Sequence, residues 1–168
     1  MKFSNIAKAI LVATATGSMM IASSSAVAAT ATANTSATVL QSISIAKNTD
    51  LDFGAFSPST GGTVVIGTDG SRSKTGAVVL SSTATGSRAQ FTVSGATNAT
   101  YAITLPASAT LTSGANTMSV GSFVSNPSGT GTLTGGSEIL YVGATVTVAS
   151  AQAAGAYTGT FDVSVEYN

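Results

Sequence analysis

Cysteine, histidine and tryptophan are all missing from this 168-residue chain, and each absence closes off some chemistry. Without cysteine there is no disulfide framework, no thiolate nucleophile and no cysteine-ligated zinc, so an exported fold must be held by core burial, a metal or association with other chains. Without histidine, the usual base that activates a serine or threonine nucleophile is gone. Charge is scarce too. Only 7% of residues are Asp, Glu, Lys or Arg, so the polar surface has to be made of Thr, Ser, Asn and Gly. The few cations are scattered, which excludes the clustered Lys and Arg that track a phosphate backbone, and nucleic acid is not an expected partner. Helical periodicity is missing over any useful length; a single short turn near "ASAQAAG", ended by Gly155, is the one helical candidate.

What is present begins with a targeting pattern. Lys2 and Lys8 precede an apolar stretch from Ala9 to Ala22, followed by the small-residue site Ala26-Val27-Ala28. A basic start, a short apolar middle and an A-x-A site predict a secretory signal peptide over residues 1–28. Thr14, Thr16, Gly17 and Ser18 interrupt the apolar run, which is short for a bilayer span, and no membrane span is expected in the mature chain. Cleavage after Ala28 removes two lysines and leaves four basic residues, Lys47, Arg72, Lys74 and Arg88, against six acidic ones. The expected organisation is a signal peptide (1–28), an N-terminal extension (29–40) and one β domain (41–168).

The remainder reads as strands punctuated by Gly, Ser, Thr, Asn and Pro. Strands are predicted at Thr35–Lys47, Leu51–Phe53, Thr63–Gly67, Gly76–Ser81, Gln90–Ser94, Tyr101–Leu105, Met118–Ser125, Glu138–Val148 and Tyr157–Tyr167. Two hairpins are expected, one within "GTVVIGTDGSRSKTGAVVL" and one within "QFTVSGATNATYAITLP", where Pro106 stops the second strand. Many short strands with no helices between them predict an all-β fold, an antiparallel immunoglobulin-like sandwich. The final strand is the clearest. Tyr157, Gly159, Phe161, Val163, Val165 and Tyr167 alternate with small or polar residues, the pattern of a half-buried strand.

No catalytic constellation emerges. A Ser–Lys pair in "SRSKTG" reads as a solvated loop; it lacks the glycine before lysine and the following helix of a phosphate-binding loop. Asp50 and Asp52, at i and i+2, share a strand face, yet a calcium site needs six or more oxygen ligands and no others cluster there. The sequons Asn34-Thr35-Ser36 and Asn98-Ala99-Thr100 fit chance occurrence in a Ser/Thr-rich chain. No enzyme and no cofactor are expected.

Several stretches together carry a resemblance. "TDLDFGAF", "GTVVIGTDGSRSKTGAVVL", "AQFTVSG", "YAITLP" and "LYVGATVTVASAQAAGAYTGTFDVSVEYN" occur in this order across nearly all of the mature chain. The chain resembles the domain of unknown function 4402 family of exported bacterial proteins. Its early L-x-F-G and closing G-x-Y-x-G-x-F-x-V-x-V-x-Y-N are also similar to subunits of archaic, spore-coat-U-like chaperone–usher pili. That similarity implies a pilin-like sandwich lacking its last strand. A periplasmic chaperone fills the open groove first, and the N-terminal extension of a neighbouring subunit then replaces it by β-strand addition. On this resemblance the groove-lining strand is Tyr157, Gly159, Phe161, Val163, Val165 and Tyr167. The chaperone-gripped terminus is Asn168, and the donor face is Ala31, Ala33, Ala37 and Val39. Two features depart from the pattern: donor segments of such pili usually carry larger apolar side chains, and the usual early cysteine pair is missing.

The leading expectation is therefore a homopolymeric fimbrial subunit, exported through the periplasm to the cell surface by way of a chaperone and an outer-membrane usher. The alternative is a self-contained surface β-sandwich that binds a glycan or protein.

Overall fold

The computed structural model describes residues 27–168. The expected signal peptide, residues 1–28, therefore lies outside the described residues except for Val27 and Ala28. The chain divides into two units, Met1–Ala37 and Thr38–Asn168, and every strand among the described residues belongs to the second. The described part of the first unit is exposed and carries no strand.

Among the described residues, twelve strands pair antiparallel: β1 (Ser44–Thr49), β2 (Phe56–Ser57), β3 (Gly62–Ile66), β4 (Arg72–Gly76), β5 (Val79–Leu80), β6 (Ala89–Ser94), β7 (Thr100–Thr104), β8 (Ser108–Ser113), β9 (Asn116–Asn126), β10 (Thr130–Thr132), β11 (Ser137–Val148) and β12 (Ser164–Tyr167). The fold is all-β and sandwich-like, as expected. β11 is its spine. Leu140, Val142, Ala144, Val146 and Val148 are buried at every second position, the period of a strand with one apolar face. One edge of β11 pairs first with β6 and then with β3, while β9 pairs along the other. The large sheet runs β1-β6-β11-β3-β4, with β8 attached through β9. Against it lie a small sheet, β10-β7-β12, and the two-stranded pair β2-β5.

The buried side chains form two clusters. One gathers Phe53, Val64, Ile66, Met118 and Val146 among others. The second joins Val93, Leu140 and Val142 of the large sheet to Tyr101 of the small one and to Leu133. Fully burying such aliphatic side chains contributes roughly 1.5–3 kcal/mol each, which holds the layers together without disulfides.

Several expectations are corrected. "RSKTG" is not a solvated loop but strand β4, the true partner of β3, with Thr63 and Thr75 hydroxyls 2.8 Å apart across the pair. Its polar residues fit an edge strand, where charge discourages further pairing. The second expected hairpin does not form: β6 and β7 belong to different sheets, so residues 95–99 cross between layers. Leu51–Phe53 is reduced to a single bridge, Asp52 to Ser87. The stretch from Thr35 to Ile43 carries no strand, and "ASAQAAG" forms no helix; Ala151 sits at φ 54° in a turn.

One buried polar tie crosses the sandwich. Tyr101, fully buried on β7, donates its hydroxyl to Glu138 Oε2 on β11 at 2.8 Å, and the Thr132 amide of β10 donates to the same oxygen at 2.9 Å. Burial first, then the Glu138 hydrogen bond and charge, hold the Tyr101 phenol well above its ordinary value. A raised folded-state pKa keeps its stabilisation below the unfolded phenol value, about 10, and loses it as pH climbs beyond. In an alkaline titration followed at 295 nm, ionisation of Tyr101 is expected in a cooperative step that coincides with unfolding. Tyr101→Phe should abolish that coincidence.

Candidate functional site

A cleft of about 840 Å³ opens between the two layers. Its floor is apolar: Phe91 of β6, Leu111 of β8, and Met118, Val120 and Phe123 of β9. One lip runs from Lys47 to Pro58 and the other from Gln152 to Phe161. Only the rim is charged, with Lys47 paired to Asp50 at 2.5 Å, both exposed. Asp52 is not part of that pair and accepts the Gly54 amide at 2.8 Å. No cluster of three metal-ligating side chains occurs among the described residues.

Each lip ends a sheet. Among the described residues, β1 is an edge strand of the large sheet, paired with β6 alone, and β12 is an edge strand of the small sheet, paired with β7 alone. Ahead of β12 the chain makes one bridge, Thr158 to Thr112. The backbone of Gly159–Val163 makes no backbone hydrogen bond among the described residues. Unpaired amides and carbonyls beside an apolar floor are what an added strand needs.

The first lip is held from beneath. Arg72 donates to the carbonyls of Ala55 (2.7 Å), Ser81 (3.2 Å) and Ala84 (3.0 Å), binding the 54–56 turn to the 81–84 loop. Desolvation lowers its pKa, yet guanidinium stays charged at any ordinary pH. On the second lip, Gln152 Nε2 donates to Thr117 O (3.1 Å) and to the Tyr157 hydroxyl (2.8 Å), which donates onward to Ala153 O at 2.9 Å. Gly159 is bare for a reason different from leaving room in the groove. A Cβ there would lie 2.3 Å from Thr110 O, so its absence lets this lip approach β8.

The predicted groove strand is thus divided. Tyr157, Gly159 and Phe161 line the cleft, and Phe161 packs against Phe123 (centroids 5.0 Å) and edge-on to Phe91 (6.4 Å). Val163, Val165 and Tyr167 keep the alternation and pack, as Phe161 also does, on the second core cluster, but they do not line the cleft. Asn168 is exposed, its amide donating to Thr100 O at 3.2 Å. Ala31, Ala33, Ala37 and Val39 are exposed and outside any strand, Val39 at 94%. Sequence reading missed the floor from β8 and β9. "SATLTS" does alternate Ala109 and Leu111 with Ser and Thr, a signal of period two that was there to be found.

Fold and cleft define an all-β, sandwich-like domain with two adjoining unpaired edges over an apolar floor. The family described as Domain of unknown function (DUF4402) matches residues 43–167, and the chain belongs to that family. No curated protein and no solved structure matches the chain.

Proposed function

We propose that this domain is a structural subunit of a surface fimbria, assembled by donor-strand complementation and without catalysis. The observation that carries it is the apolar cleft between the open edges of β1 and the β12 segment. The occupant is the N-terminal extension of a second copy, residues 29–40, whose Ala31, Ala33, Ala37 and Val39 fall on one face of an extended strand and are exposed. A methyl buries less than a Val or Leu side chain, so main-chain pairing along both edges supplies much of the hold. Such a surface aggregates when bare. A periplasmic chaperone covering it until an outer-membrane usher adds the next copy is the fitting pair of partners, and the cell surface the destination.

Cell-surface material run on SDS gels without boiling is expected to give a ladder of multimers that collapses to monomer on boiling. Monomer in both lanes defeats the proposal. The cleft volume also lies within the roughly 300–1,000 Å³ of small-ligand pockets, so saturable binding of a glycan or peptide by a lone monomer supports a secreted binding module instead.

A further inference from the structure

The extension spans twelve residues and at full stretch about 40 Å, long enough to reach the cleft of its own chain. Three strands argue that it is steered elsewhere. β1 runs from Ser44 toward the cleft, whose lining begins at Lys47 and continues to Pro58. Followed backward from Ser44, the chain runs away from that lining as far as Gln41. β6 agrees: Ala89 and Phe91 line the cleft, whereas Ser94 leads out to Gly95 and Ala96 at the far end, about 17 Å on at roughly 3.3 Å per residue. The C-terminal segment agrees too, with Phe161 in the cleft and Tyr167 beyond it.

At that far end the Tyr167 hydroxyl accepts the Ala96 amide at 2.6 Å and donates to the Gln41 carbonyl at 2.7 Å. Its ring packs on the second core cluster, so the hydroxyl has a fixed position. Gly95 makes room for it, since a Cβ there would stand 2.2 Å from that oxygen. Main chain from two distant segments is tied to one phenol. The root of the extension is thereby fixed beside the end of β12 farthest from the cleft, and Val39 and Leu40 leave it exposed.

Resting on the fimbrial proposal, we propose that Tyr167 is a positioning residue that directs the extension away from its own cleft and so selects the cleft of a second copy over self-complementation. To enter its own cleft, the chain has to reverse direction at residues 38–41 against the pin.

The absence of cysteine makes the test clean. Full chains carrying Ala33→Cys or Thr160→Cys singly are co-assembled and treated with a short bismaleimide; only contacts between copies give covalent dimers. The doubly substituted chain, diluted in excess cysteine-free chain, reports contacts within one copy. With Tyr167 intact, dimers dominate. Tyr167→Phe keeps the ring and removes both hydrogen bonds, and should raise the within-chain product relative to dimers about five-fold or more. Gly95→Ala, which displaces the hydroxyl from the other side, should do the same. An unchanged ratio in both variants overturns the pin alone. No dimers in the Tyr167 background overturns the fimbrial proposal beneath it.

Discussion

Deleting Ala29–Leu40 is expected to abolish the SDS-resistant ladder and leave a folded monomer that takes the missing twelve-residue peptide in trans. The fold should survive because those residues are exposed and none belongs to a strand, while both core clusters are built from residue 43 onward. Assembly should fail because the cleft then has no partner for its open edges. A peptide at 100 times its Kd adds about 2.7 kcal/mol to the monomer, which for a domain of this size raises Tm by about 10 °C. Scanning calorimetry of the truncated chain with and without peptide measures that shift. A truncated chain that still forms the ladder, or a peptide that leaves Tm unmoved, overturns donor-strand assembly.

Much of the fold was legible in the sequence, for reasons that differ from strand to strand. β11 could be placed to within a residue because Leu140, Val142, Ala144, Val146 and Val148, at every second position, are apolar and buried. The β3–β4 hairpin was misassigned because an edge strand is free to be polar on both faces, so "RSKTG" carries no alternation. Phe123 was lost to a different cause. Met118 and Val120 point inward, which by simple alternation sends Phe123 out. A bulge intervenes: Ser122 adopts φ 49° and the β9–β11 register slips by one residue, turning Phe123 back into the cleft. The cleft could be half inferred from Tyr157 and Phe161, but its other lip runs through Leu51–Pro58. That stretch is irregular, and it is placed by the carbonyls that Arg72 gathers rather than by any periodicity. Contacts between distant backbone atoms leave no mark on a local pattern.

Val39→Asp and Ala33→Asp are expected to leave the monomer as stable as wild type, within about 0.5 kcal/mol, and to stop polymer growth. Both side chains are exposed, so a carboxylate there costs the free subunit almost nothing. Seated on the floor of Phe91, Met118 and Phe123, the same group has no cation to meet, because Lys47 on the rim is already paired with Asp50. Burying an unpaired charge costs several kcal/mol, and about 4 kcal/mol is roughly a thousand-fold in affinity. The decisive comparison is with Thr38→Asp, one residue away. Successive side chains of a strand point to opposite faces, so Asp at 38 should face solvent and be tolerated where Asp at 39 is not. General repulsion between extensions, or a helical or irregular bound form, predicts similar effects at the two neighbours. Ladder yields of the three variants, read alongside their monomer melting temperatures, separate these cases: equal loss at 38 and 39 excludes a donor strand with Val39 turned into the cleft.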